Sequence, residues 1–94
     1  MGKTFDPTTK IYDVTIEYCV PCDYSKDAIA VAQEILEARQ NDLKSLTLVT
    51  GTGGVFEVTV NDQKLFSKKE TKRKPEPGEI AEAFEKFAGA PASA

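Results

Sequence analysis

Histidine is missing from the 94-residue sequence, and only two cysteines are present. Without histidine the chain cannot build a Cys-His or Ser-His-Asp nucleophile, an imidazole general base or a mixed Cys/His zinc site. No apolar run approaches the roughly 20 residues that a membrane span needs. The amino terminus also lacks the apolar stretch of a secretory signal. We therefore expect a cytoplasmic protein that makes no contact with a membrane.

Excess positive charge is also missing, because the net charge is −3. This balance argues against nucleic acid as the main partner. The exception is a basic run of Lys68, Lys69, Lys72, Arg73 and Lys74, opposed within it only by Glu70. Such a run is typical of a solvated loop. The alternative is a contact for an acidic partner or for a glutathione carboxylate.

What the sequence does contain is enough for one domain with a modest core, with 40% hydrophobic and 29% charged residues. Alternating apolar residues predict strands, and recurrence at three and four residues predicts helices. The predicted elements are a strand over 11–18, a helix over about 23–40, strands over 45–50, 55–60 and 64–67, and a helix over about 78–88. Asn61-Asp62 favours a two-residue hairpin turn, because both residue types tolerate positive φ.

Apolar residues on one side of the first strand and on one face of each helix make up the predicted core, together with two strand phenylalanines. In chain order these are Tyr12, Val14, Ile16 and Tyr18; Ile29, Ala32, Ile35 and Leu36; Phe56 and Phe66; and Ile80, Ala83, Phe84 and Phe87.

The element order β-α-β-β-β-α restricts the fold. A strand–helix–strand opening implies two parallel neighbours joined by a right-handed crossover. The hairpin then adds antiparallel strands, and the two helices cover the sheet. We expect an α/β protein, an α+β sandwich with a mixed four-stranded sheet that is thioredoxin-like in outline. The predicted domain covers 11–89, between a flexible lead over 1–10 and a flexible tail over 90–94.

The two cysteines stand three residues apart, where the first strand gives way to the first helix. A disulfide across so short a loop stabilises by only roughly 2 kcal/mol. The pair therefore points to dithiol–disulfide exchange rather than to a structural crosslink. We expect Cys22 in the first helical turn, where free N–H groups and the helix dipole lower a thiol pKa. Pro21 suits such a corner through its fixed φ.

Other interpretations of these residues stay open. The cysteines could be inert, or two chains could share a zinc ion. The segment 51–54 lacks the Lys-Ser/Thr of a P-loop, so it indicates a mobile turn, whose Gly53 and Gly54 could let a substrate backbone approach. Tyr18 and Tyr24 could line a substrate groove, although core packing for Tyr18 and surface exposure for Tyr24 are the simpler expectations.

Four segments carry a family resemblance: IEYCVPC (16–22), GVFEVTV (54–60), LFSKKE (65–70) and PEPGEI (75–80). Together they resemble the selenoprotein W-like Rdx family of small thioredoxin-fold proteins, over about residues 11–88. The resemblance implies a redox-active pair in glutathione- or thioredoxin-linked antioxidant or regulatory exchange. No resident cofactor is implied, and glutathione is a candidate co-substrate.

The resemblance also bears on which sulfur attacks. Selenium-containing members carry selenocysteine at the place matching Cys22, which implies a cysteine homologue with Cys22 as the attacking atom. Thioredoxin logic instead makes Cys19 the attacker, so both are candidate catalytic residues. The candidate substrate contacts are Tyr18, Pro21, Tyr24, Gly53, Gly54, Lys68 and Lys69.

Two functions compete. The first is a thiol–disulfide oxidoreductase whose partners are redox proteins or glutathione. The second is a non-catalytic binding module whose affinity for a partner protein is switched by oxidation of Cys19 and Cys22.

Overall fold

The predicted order of elements is confirmed, with one helix added. The computed structural model describes residues 12–39 and 42–88. The elements are β1 (Tyr12–Cys19), α1 (Ser25–Arg39), β2 (Leu43–Gly51), β3 (Phe56–Val60), β4 (Gln63–Ser67), α2 (Lys68–Thr71) and α3 (Glu79–Ala88). The predicted lead over 1–10, the first residue of the predicted first strand, the last of the first helix, and the predicted tail over 90–94 lie outside the described residues.

A mixed sheet organises the described part of the chain, in the strand order β2-β1-β3-β4. The β1–β2 pair is parallel, as the crossover rule predicts, and the β1–β3 and β3–β4 pairs are antiparallel. Helix α1 packs on β1, β2 and α3, and α3 packs on β4. Within the described residues, no helix is long and apolar enough to cross a membrane.

The alternation in the strands places their apolar side chains in one core. Val14 and Ile16 of β1 and Val58 of β3 are fully buried. Tyr12 closes one end of this core, with its ring 5.2 Å from that of Phe84 in an edge-on arrangement. The intervening residues of these two strands are polar and half-buried or exposed, so the second face of β1 and β3 is polar.

The hairpin turn between β3 and β4 is confirmed. Asn61 and Asp62 both take positive φ, at 49° and 70°, which is the backbone of the turns that fit the strand twist. The Asn61 side chain accepts a hydrogen bond from the Asp13 N–H at 2.8 Å. This contact joins the hairpin to β1.

The predicted buried face of α1 is partly wrong. Ala32 and Ile35 are buried, but Ile29 and Leu36 are 58% and 41% exposed. Ala28 and Val31 are buried in their place. Apolar residues occupy two adjoining stripes of this helix, and the stripe with Ala28 and Val31 is the one buried where α1 packs on the sheet and on α3.

The basic run is not a plain loop, because its first four residues form α2. Ser67 is the N-cap and its hydroxyl accepts from the Glu70 N–H at 3.3 Å. Lys72 ends the helix in the left-handed conformation, and its N–H donates to the Lys68 carbonyl. Ser and Glu three residues apart are a known helix-start signal. The prediction of two helices is therefore corrected to three in the part of the chain that the structure describes.

Candidate functional site

Cys19 and Cys22 are joined by a disulfide, with their Cα atoms 5.3 Å apart. Cys19 is the last residue of β1 and is fully buried. Cys22 lies beyond the strand and is exposed. An attacking thiol from another molecule therefore meets Cys22 first.

The backbone around Cys19 is fixed from several directions. Its N–H donates to the Val55 carbonyl at 2.9 Å, and its carbonyl accepts from the Tyr24 N–H at 3.1 Å. Gly51 is its partner in the parallel β1–β2 pair. The buried sulfur thus belongs to a rigid strand end, a property that favours a site of defined geometry.

Cys22 lies in a turn and not in the first turn of α1, which corrects the prediction. The Asp23 N–H donates to the Val20 carbonyl at 2.9 Å, so Pro21 and Cys22 are the central residues of a β-turn. Asp23 then takes a φ of 63°, and α1 begins only at Ser25. Pro21 suits the second position of such a turn. Left-handed Asp23 thus separates Cys22 from the first turn of α1.

The strand directions bring three predicted segments to one end of the sheet. Parallel β1 and β2 both finish there, β3 begins there, and antiparallel β4 finishes there. The turn with Gly53 and Gly54, at φ 74° and 78°, and the basic helix α2 therefore share this end with the disulfide. The expectation that the glycine turn and the cysteine corner share one end is confirmed.

A cleft of about 660 Å³ opens at this end, between the glycine turn and α2. Gly53, Gly54, Lys68 and Lys69 line it as candidate contacts, whereas neither cysteine does. Val55 lines the cleft, and its carbonyl accepts the hydrogen bond from the Cys19 N–H. The cleft and the disulfide are therefore adjacent but do not form a single site.

Positive charge predominates in the cleft. Its ionisable lining comprises four lysines and two glutamates: Lys64, Lys68, Lys69, Lys72, Glu17 and Glu57. Lys64 pairs with Glu70 at 3.0 Å, and Glu57 accepts from the Ser67 hydroxyl at 2.8 Å. Among the described residues, the other three lysines form no ion pair. They are available to an anionic ligand.

Tyr24 connects the cysteine turn to the basic run. It is half-buried rather than fully on the surface, with its ring centroid 6.4 Å from that of Phe56. The Nζ atoms of Lys74 and Lys68 lie 4.8 and 5.8 Å from that centroid, within the range of cation–π attraction. Tyr18 also packs against the core, as the simpler of its two interpretations predicted.

Four residues of the cleft lining lie outside the segments that the sequence marked as candidates: Glu17, Val55, Glu57 and Lys64. Glu17, on the polar side of β1, had a weak signal, whereas Lys72 belongs to the basic run already considered as an anion contact. Val55 had none, because its contribution is a backbone carbonyl. No cluster of three or more metal-ligating side chains occurs among the described residues.

A mixed four-stranded sheet with a Cys-x-x-Cys turn after its first strand defines the class of thioredoxin-like proteins. The model of the Rdx family matches residues 13–86, which is most of the chain. The chain belongs to the Rdx family. A comparison with curated protein sequences finds no significant match.

Two solved structures share this fold. A protein from Bordetella parapertussis is 30% identical with a TM-score of 0.76, covering 81% of this chain and 96% of that one. A selenoprotein W-related protein from Vibrio cholerae is 22% identical with a TM-score of 0.77, covering 83% of this chain and 98% of that one.

Proposed function

We propose that this protein exchanges electrons with other thiols and disulfides through Cys19 and Cys22. The observation that carries the proposal is the difference in exposure between the two cysteines of the disulfide. Cys19 is buried at a fixed strand end, and Cys22 is exposed in a turn. Membership of the Rdx family supports a redox-related role. In a cytoplasmic setting, such a short disulfide is typical of transient redox chemistry rather than of a permanent crosslink.

The exposure of Cys22 supports an attacking role for this residue. Its thiolate attacks one sulfur of a substrate disulfide, forming a mixed disulfide while the other substrate sulfur leaves as a thiolate with the electron pair. The Cys19 thiolate then attacks the Cys22 sulfur, and the second substrate thiolate leaves. Two electrons have passed to the substrate, and the protein holds the Cys19–Cys22 disulfide. An external thiol, glutathione or a dithiol protein, restores the reduced pair in the reverse sense.

Single cysteine variants test these roles, with glutathione disulfide as the probe. Reduced Cys19→Ser keeps the attacker but loses the resolving thiol, so we expect it to accumulate one glutathione adduct per chain. Reduced Cys22→Ser is expected to form at least about tenfold less, because its only thiol is buried. Intact-mass spectrometry counts the adducts, and the double variant is the blank.

The reverse pattern, with an adduct only on Cys22→Ser, would make Cys19 the attacker. Absence of any adduct from both single variants, with native circular dichroism, would refute thiol–disulfide exchange. A redox titration of the native protein with thiol trapping then compares the reduction potential of the cysteine pair with that of the glutathione pool.

The lysine-lined cleft favours a second candidate, a binding module switched by oxidation. Lys68, Lys69 and Lys72 lie beside the glycine turn, and Val55 of the same lining is bonded to Cys19. An acidic partner seated there would be sensitive to movement of the disulfide turn. A partner that the double cysteine variant still captures would favour this module over exchange, whereas loss of capture would favour exchange.

A further inference from the structure

Strand β2 leaves one side of the sheet without a strand partner in the part of the chain that the structure describes. It spans nine residues at the end of the sheet order, whereas the other edge strand, β4, has five. Its only charged residue is Lys44, and it contains no proline. Soluble proteins usually protect an edge with charge, proline, shortness or a covering element. Within residues 12–39 and 42–88, edge β2 has none of these apart from the lysine near its start.

The polar backbone groups of this edge have a definite direction. The Gly51 carbonyl accepts from the Val20 N–H at 2.9 Å, so Gly51 points toward the β1 side. Backbone direction alternates along a strand. The N–H and carbonyl groups of Thr50, Leu48 and Leu46 therefore point away from β1, toward the outside of the sheet.

Apolar side chains flank the same edge. Leu46 and Leu48 pair with the core residues Val14 and Ile16 in the β1–β2 register, so they lie on the helix-bearing face. Leu46 is only partly buried, and Leu48 is 40% exposed.

Helix α1 adds Ile29 and Leu36 to this flank. Its opposite side faces α3, because Glu34 accepts from the Gly78 N–H just before α3, and Asp27 pairs with Lys74. Residues two positions apart on a helix lie about 200° apart around its axis. Ile29 and Leu36, two positions after Asp27 and Glu34, are thus turned away from α3 and toward the β2 edge.

We propose that this edge joins two copies of the chain, with β2 pairing antiparallel to β2 of the second copy around a twofold axis at Thr47. The two sheets become one eight-stranded sheet, and both α1 helices lie on the same face. The proposal concerns the β2 edge of the sheet, so it does not depend on the function of the disulfide.

A second copy fits because the edge is self-complementary in this register. Leu46 of each copy lies opposite Leu48 of the other, which gives two such pairs. The outward backbone groups of both residues are then in position to form hydrogen bonds between the strands. Lys44 lies opposite uncharged Thr50, so no like charges meet along the strand. The two α1 helices run antiparallel across the axis. A twofold interface needs such a surface, one that matches itself.

Thr47 provides the sharpest test. It is exposed on the polar face, so replacing it leaves the core untouched. In Thr47→Lys two cations face each other across the axis, and like charges directly opposite destabilise a strand pair. We expect wild type to sediment at twice the 10.3 kDa chain mass, and Thr47→Lys to raise the dissociation constant of the dimer about two- to fivefold. Gln63→Lys, which adds the same charge to the exposed start of β4, should dimerise as wild type does.

Mixing variants separates pairing from misfolding. Thr47→Glu alone is expected to dissociate as Thr47→Lys does, while an equimolar mixture of the two should recover the dimer mass, because opposite charges then meet at the axis. A wild type that stays monomeric at NMR concentrations would overturn the proposal. Dimers that Thr47→Lys leaves as tight as wild type, or a mixture that remains monomeric, would also overturn it.

Discussion

At the scale of single residues, Gly51 governs how closely the strands approach behind Cys19. A Cβ atom at this position would lie 2.9 Å from the Val55 Cγ1 atom and 3.0 Å from Glu17 Oε2. Val55 is the residue whose carbonyl holds the Cys19 N–H. Any side chain at position 51 therefore presses on the segment that fixes the buried sulfur.

We expect Gly51→Ala to lower the free energy of unfolding by about 1–3 kcal/mol, the usual range for overpacking a tight contact. Urea unfolding of the oxidised protein measures the change. Thr50→Ala is the matched control in the same strand, since Thr50 is exposed and its loss should cost less than about 0.5 kcal/mol. Equal stability of Gly51→Ala and wild type would show that Val55 moves aside freely.

At the scale of elements, Glu79 anchors the start of α3. Arg73 donates from both terminal nitrogens to its carboxylate, at 2.7 and 2.8 Å, and the Glu76 N–H adds a third bond at 2.8 Å. The hydrogen bonds from Arg73, and then that from Glu76, lower the pKa of Glu79 from its ordinary value of 4.5 to about 2. The folded state therefore prefers the ionised carboxylate.

Because folding lowers the pKa of Glu79, its carboxylate stabilises the folded state at every pH above the ordinary pKa of 4.5. This contribution is lost as pH falls from 4.5 toward 2, because the unfolded chain binds the proton first. The Glu79 side chain is 29% exposed, so solvent screening reduces the contribution to about 1 kcal/mol. We expect Glu79→Gln to be less stable than wild type by that amount at neutral pH and equally stable near pH 2.

Urea unfolding at both pH values measures this difference. Glu70→Gln is the control, since Glu70 pairs with Lys64 at a more exposed position and its replacement should leave stability unchanged. A stability gap for Glu79→Gln that is the same at neutral and acid pH would contradict the charge-based explanation.

The elements also show which parts of the fold are readable from sequence. Strands β1 and β3 were predictable because one buried face makes their alternation strict. The buried face of α1 was not, since the choice between Ile29 and Val31 depends on α3, a tertiary neighbour. Helix α2 had a readable signal in Ser67 and Glu70, but the dense positive charge between and after them favoured a loop.

The candidate site also has parts that the sequence predicts and parts that it does not. The cysteine pair and its place at a strand end follow from spacing and periodicity. The turn that separates Cys22 from α1 depends on the positive φ of Asp23, which no periodic pattern encodes. The cleft depends on β4 bringing Lys72 toward Glu17 of β1, which is a consequence of sheet order.

At the scale of the whole molecule, the core and the disulfide are separate sources of stability. The largest fully buried side chains come from both sheet and helices, and they include Phe56, Phe84, Ile16, Ile35 and Ile80. Their contacts join segments distant in sequence, whereas the disulfide spans only three residues. The fold is therefore expected to persist when the disulfide opens.

Reduction of the disulfide should lower the free energy of unfolding by no more than roughly 2 kcal/mol, because so short a loop restricts the unfolded chain little. By linkage, the same difference separates the reduction potential of the native disulfide from that of the unfolded chain, and 2 kcal/mol corresponds to roughly 40 mV for two electrons. Urea unfolding with and without a reductant gives the first quantity, and thiol trapping in glutathione buffers with and without denaturant gives the second. The double cysteine variant should unfold identically in both urea series. Loss of the native fold on reduction, or a stability difference several times larger, would make the disulfide a structural crosslink, a role incompatible with a pair that opens and closes in each exchange cycle.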